Sequence, residues 1–155
     1  MEQHGNGQDR ASLDGTLHEH RDVMQVVAEV EACLDTPPDR EGRWIAAITE
    51  KLPALCETLR CHFSVEQEGA LYREIPERFP RFAQRLETLA AEHRAILEAA
   101  EAVMAMGRDL GGSRIYEQRE LNSRAQLLVA TIRRHEAEEN EIIMSANWDE
   151  VGAGD

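Results

Sequence analysis

Two halves of this chain carry the same chemically distinctive residues at one fixed offset. His20, His62 and Glu66 recur 73 positions later as His93, His135 and Glu139. The flanks recur too. Glu19-His20-Arg21 matches Glu92-His93-Arg94, and Glu66-Gln67-Glu68 after His62 matches Glu139-Asn140-Glu141 after His135. A duplication that keeps imidazoles and carboxylates in register requires two like halves to meet about a pseudo-two-fold axis, with these side chains on it. The expected occupant of that axis is a metal pair bridged by the two carboxylates.

The same offset relates packing faces. Ile48, Leu52, Leu55, Leu59, His62 and Glu66 follow a 4-3-4-3-4 spacing, one continuous helical face, and their images are Leu121, Ala125, Leu128, Ile132, His135 and Glu139. Four amphipathic helices are predicted. The first opens at a Thr16–Glu19 capping box and buries Leu17, His20, Val23, Met24, Val27, Val30 and Leu34. Pro37-Pro38-Asp39 stops it, and the second spans about 39–68 with Pro53 inside, where a bend is expected. The third spans about 80–106, with Phe82, Leu86, Leu89, His93, Ile96, Ala100 and Met104 inward. Gly107, Gly111 and Gly112 are read as a turn, Ser113 as an N-cap, and the fourth helix continues the stripe to Ile142. The expected fold is all-α, an up-down-up-down four-helix bundle with internal two-fold pseudo-symmetry. The expected organisation is a flexible tail over 1–15, the bundle over 16–146 and an acidic tail over 147–155.

Composition supports one soluble helical domain. A 42% hydrophobic share can supply one core across 155 residues, aromatics are only 5%, and no apolar run is long enough to cross a bilayer. The polar, glycine-rich first residues contain no apolar core of a secretory signal. A net charge of -13 argues against nucleic acid and anionic membranes as partners. Cys33, Cys56 and Cys61 include no CxxC pair, so the expected location is a reduced cytoplasm; Cys61, beside His62, is the thiol to watch for redox sensitivity.

His and Glu at i and i+4 stack on one helix face, about 6 Å apart along the axis. Both HxxxE pairs meet that condition, and the antiparallel order brings His20 level with the end of the second helix. Left unpaired among apolar neighbours, four imidazoles and two carboxylates would each cost several kcal/mol if ionised, about the cost that metal ions would remove. Imidazole with carboxylate suits iron, manganese or zinc, and the lack of thiolate ligands disfavours an iron–sulfur cluster. Two bridging glutamates, two histidines per ion and a bridging oxo or hydroxo leave an octahedral iron one open position for O2, NO or peroxide.

The pattern H…HxxxE…H…HxxxE over about residues 14–146 resembles the hemerythrin-like HHE cation-binding domains. The resemblance implies a non-haem di-iron site, with His20, His62, His93 and His135 as terminal ligands and Glu66 and Glu139 as bridges. The chain departs from the oxygen-carrying members. Leu89 and Leu97 stand where they have an extra histidine, and Asn140 stands where their fourth helix has an aspartate. Four His with two Glu more closely resemble the di-iron domain of bacterial iron-centre repair proteins, linked to nitrosative and oxidative stress, although residues 1–15 lack the cysteine those usually carry. The leading expectation is a protein that binds O2, NO or peroxide in sensing or stress response. Its rivals are a di-iron enzyme or iron donor, and a metal-free helical interaction module.

Other polar residues are read more plainly. His18 should face solvent, Tyr116 is too far from His135 to share its site, and Glu19 and Glu92 are surface acids. Tyr72 is read chiefly as a capping residue, the other option being that it folds over the site from a loop. Trp44 and Trp148 are packing or interface residues, which leaves room for a protein partner or homodimer.

Overall fold

The computed structural model describes residues 5–110 and 114–152, with side chains described over 13–110 and 114–149. Four long helices form the frame: α1 (Gly5–Leu34), α2 (Arg43–Gln67), α5 (Ala83–Asp109) and α6 (Ile115–Gly152). Between α2 and α5 lie two single-turn helices, α3 (Ala70–Arg73) and α4 (Ile75–Arg78), and a 3-10 turn over Pro80–Phe82. Each long helix packs on the next and α6 closes against α1, the expected four-helix ring. No strand occurs among the described residues.

The apolar stripes bury as the spacing predicts. Val23, Val27 and Val30 of α1, Ile48, Leu52, Leu55 and Leu59 of α2, Ile96 and Ala100 of α5, and Leu121, Ala125 and Ile132 of α6 make one cluster. Each fully buried aliphatic side chain contributes about 1.5–3 kcal/mol against exposure. A second cluster joins Leu13, Leu71, Ile75, Phe82, Leu86, Leu89, Ile142, Ile143 and Ala146. Along α1, α5 and α6 the ligand-type residues fall between the two, and on α2 they lie at the end nearest the second. Leu13 and Val23 flank His20, Leu89 and Ile96 flank His93, and Ile132 and Ile142 flank the His135–Glu139 segment. The polar layer therefore sits inside the bundle, covered by apolar packing on both sides.

Several boundaries differ from expectation. α1 begins at Gly5, so residues 5–15 are helical where a flexible tail was expected, and the Thr16–Glu19 box is no helix start. The reason is visible at Leu13, 2% exposed in the second cluster, which that longer helix supplies. α6 likewise continues through 147–152, the described part of the expected acidic tail. The second helix begins at Arg43, later than Asp39. Gly42 takes a left-handed φ of 79° at its N-cap, and Asp39 caps from outside, accepting from the Trp44 backbone N–H at 2.9 Å. Gly107 is no turn residue. It lies buried inside α5, where a Cβ would meet Thr49 Cγ2 at 3.1 Å, so its missing side chain lets α5 approach α2 closely. Met104, expected inward, is half-buried, and Val103 takes the core position. Gly111, Gly112 and the Ser113 cap lie outside the described residues.

Candidate metal centre

All six predicted side chains meet in the layer between the apolar clusters. His20 comes from α1, His62 and Glu66 from α2, His93 from α5, and His135 and Glu139 from α6; none is more than 7% exposed. Their ligand atoms form two overlapping groups, each within 4.8 Å. One is His20, His62, Glu66 and Glu139, and the other is Glu66, His93, His135 and Glu139. Both carboxylates belong to both groups, and each group has two imidazoles of its own. That is the arrangement a duplicated half-site produces when its two copies close on one axis.

The Nε2 atoms face the centre. His20 Nε2 lies 2.8 Å from Glu66 Oε2, His62 Nε2 2.7 Å from the same oxygen, and His135 Nε2 3.0 Å from Glu139 Oε1. The Nδ1 atoms face outward to fixed partners. His20 Nδ1 donates to Asn140 Oδ1 at 2.6 Å and His135 Nδ1 donates to Glu92 Oε2 at 2.9 Å, whereas His93 Nδ1 accepts from Gln67 Nε2 at 3.0 Å. At His20 and His135 a proton held on Nδ1 leaves the Nε2 lone pair for a cation. Gln67 and Asn140 are images of each other in the 73-residue offset, so the repeat extends to the residues that orient the imidazoles. Glu92 is half-buried and bonded to both His135 and Arg134, which corrects its reading as a surface acid; Glu19 is exposed as expected.

Tyr72 also departs from its main expectation. α3 turns it over the centre, where its hydroxyl donates to Glu139 Oε2 at 2.8 Å and lies 3.3 Å from His93 Nε2. Tyr72 and Gln67 line a surface pocket of about 400 Å³ with Pro76 and Leu86, so the phenol stands between that pocket and the centre. On the opposite flank His20 and Asn140 border a groove of about 740 Å³ whose rim carries Trp148, 73% exposed. Trp44 is core, its indole N–H donating to the Cys33 carbonyl. His18 and Tyr116 are exposed as predicted. Cys61 is exposed and points away from the centre, and a hydrogen bond to Glu57 pushes its thiol above the ordinary value, the reverse of an activated thiolate.

Glu136 has no counterpart among the predicted residues. It is 1% exposed, its Oε2 lies 3.1 Å from His20 Nε2 and its Oε1 3.4 Å from His62 Nε2. A signal for it existed. Val129, Ile132, Glu136, Glu139 and Ile143 form a second 3-4-3-4 stripe on α6, all buried. The repeat hides it, because its image is Phe63.

The electrostatics are those of a centre short of positive charge. Burial opposes a charged ring at His62 and His135, but nearby carboxylates outweigh it. Glu136 and Glu66 raise His62 to about 10, and Glu139 and Glu92 raise His135 to about 9. The same balance raises His20, whereas burial prevails and lowers His93. Burial and the neighbouring Glu66 raise Glu139 to about 8. Glu66 is buried as well, yet contacts with His20, His62 and His93 hold it far below the ordinary carboxylate range. His62 Nε2, Glu66 Oε1, His135 Nε2, Glu139 Oε1 and both Glu136 oxygens are buried and make close ionic contacts with one another or with neighbouring groups, but no well-aligned hydrogen bond. Cations at the centre would satisfy all of them together, so the donors present fit a metal pair.

A helical bundle cut by a buried layer of imidazoles and carboxylates is the frame of a cation-binding domain. The chain belongs to the hemerythrin family: the model of the hemerythrin HHE cation binding domain matches residues 12–146, nearly all of the helical frame. No curated protein and no solved structure gave a match. No helix among the described residues is long and apolar enough to cross a membrane.

Proposed function

We propose that the centre holds two non-haem iron ions and that the protein binds O2, NO or peroxide there, in sensing or stress response. The observation that carries this reading is the pair of overlapping four-residue groups that share Glu66 and Glu139. His20 and His62 would hold one ion, His93 and His135 the other, with both glutamates as bridges and a solvent-derived oxo or hydroxo group between the ions. Such a pair would supply a redox-active position for a small diatomic or peroxide. Four imidazole donors, deprotonated at Nε2 once metal is bound, favour binding and redox cycling over the higher-valent chemistry that a carboxylate-rich set would support.

The chain's own residues supply the rest. Burial and the Glu139 charge push the Tyr72 phenol far above its usual range, so it remains a neutral O–H donor at the centre. Phe63 stacks on His93 with centroids 4.1 Å apart, and the two apolar clusters exclude water above and below. Three free cysteines agree with residence in a reduced cytoplasm.

The test is metal content together with the optical spectrum, before and after dithionite, O2 and NO. Two irons per chain, with near-ultraviolet bands that bleach on reduction and change with gas, are expected. Zinc, or no stoichiometric metal, would overturn the reading. Catalytic consumption of peroxide or NO, or release of iron to a chelator within minutes, would identify an enzyme or a donor.

A further inference from the structure

We infer that Glu136 is a third carboxylate donor to the cation held by His20 and His62, so that the two metal positions are chemically unequal. The inference rests on the two-metal reading and goes beyond its six ligands. Glu136 is buried and its two oxygens face the Nε2 atoms of His20 and His62, at 3.1 and 3.4 Å. Neither oxygen makes a well-aligned hydrogen bond to either ring. Those two nitrogens are the ones that would bind a metal, since His20 Nδ1 is already committed to Asn140. Once they coordinate, they have no proton to offer Glu136. A cation at that end is then what can satisfy a carboxylate shut away from water.

The other end is built differently. The residue 73 positions before Glu136 is Phe63, and its ring lies flat on His93, 11° from parallel. No third carboxylate faces the Nε2 atoms there: Glu92 lies behind the ring, on His135 Nδ1, and the polar group beside His93 Nε2 is the neutral Tyr72 hydroxyl at 3.3 Å. The duplication thus preserves the six shared ligands and breaks at one position, where a carboxylate faces one ion and an aromatic ring faces the other imidazole pair. The His20/His62 position has two imidazoles and three carboxylates. The His93/His135 position has two imidazoles and the two shared carboxylates. Harder, more anionic donors hold a cation more firmly, so the His20/His62 position fills first. The vacancy for a small ligand falls at the His93/His135 position, beneath Tyr72.

The full chain, stripped of metal and reloaded anaerobically with enriched iron(II), tests this by Mössbauer spectroscopy and by calorimetric titration. Two quadrupole doublets of equal area and two successive binding phases are expected. Glu136→Gln, which keeps the shape and removes the charge, should shift one doublet, leave the other in place, and weaken the tighter phase by about tenfold or more. A single doublet in the unaltered protein overturns the inference, as does a Glu136→Gln protein with both doublets and both phases unchanged; in either case the two-metal reading survives. Failure of the unaltered chain to take up two ions overturns both. Should the variant fold poorly, the spectrum of the unaltered protein still decides.

Discussion

At the scale of single residues, the centre is organised by what stands behind the imidazoles. Asn140, Gln67 and Glu92 each occupy an Nδ1 and so determine which nitrogen points inward. Glu92 is the anionic one, and the Arg134 contact anchors it. Glu92→Ala should weaken metal binding about 10–100-fold while leaving helicity unchanged; metal titration alongside circular dichroism checks this, and unchanged affinity would remove Glu92 from the site. Tyr72 stands at the other face of the centre, its hydroxyl donating to Glu139 and lying 3.3 Å from His93 Nε2. If the proposed di-iron reading holds, Tyr72→Phe should keep the metal content and speed loss of a bound NO or peroxide by about tenfold or more, since a hydrogen bond to a charged group contributes about 1.5–3 kcal/mol. Stopped-flow dissociation rates measure the effect, and equal rates would confine Tyr72 to packing.

At the scale of elements, the helices that matter most for the site extend past their predicted ends. A bundle starting at Thr16 and ending near residue 146 would leave the polar layer close to an open end. The added turns of α1, with Leu13, and the short helices carrying Leu71 and Ile75 close that end with a second apolar cluster. Leu13→Ala should therefore destabilise the protein by about 2–4 kcal/mol in chemical denaturation, within the range for a buried leucine. A flexible tail predicts no change, so the measurement separates the two descriptions. Polar, glycine-rich residues 5–12 have little helix propensity of their own. Tertiary burial of Leu13 offsets that deficit, which is why local pattern placed the boundary too late.

At the scale of the whole molecule, buried carboxylates and imidazoles set how pH and metal act on the fold. In the metal-free protein His62, His135 and Glu139 titrate near 10, 9 and 8, each above its unfolded value. The folded state therefore binds more protons than the unfolded state, and metal-free stability declines as pH rises, from about 4.5 to 8 through Glu139 and from about 6.5 to 10 through the histidines. Metal must displace those same protons, so its affinity rises over that window. Metal at about a hundred times its Kd should add about 2.7 kcal/mol, raising Tm by about 5–10 °C, and the gap between loaded and metal-free Tm should widen from about pH 6 to about pH 9. Calorimetry at several pH values tests this, and a constant gap would contradict it. The helices, their buried faces and the six converging side chains were all legible in the chain, because an internal duplication and a helical period are linear properties that survive folding. Gln67 and Asn140 were legible in the same way, as repeat partners whose role went unassigned. Glu136 and Glu92 were not assigned to the centre, and Tyr72 was placed there only as the second option, for a common reason. Each reaches the centre across elements: Glu136 from the flank of α6 towards α1 and α2, Glu92 from α5 to His135, and Tyr72 through the turn made by α3. Sequence spacing determines which residues share a helix face, but which neighbouring helix that face meets, and at what height, follows only from how the helices pack.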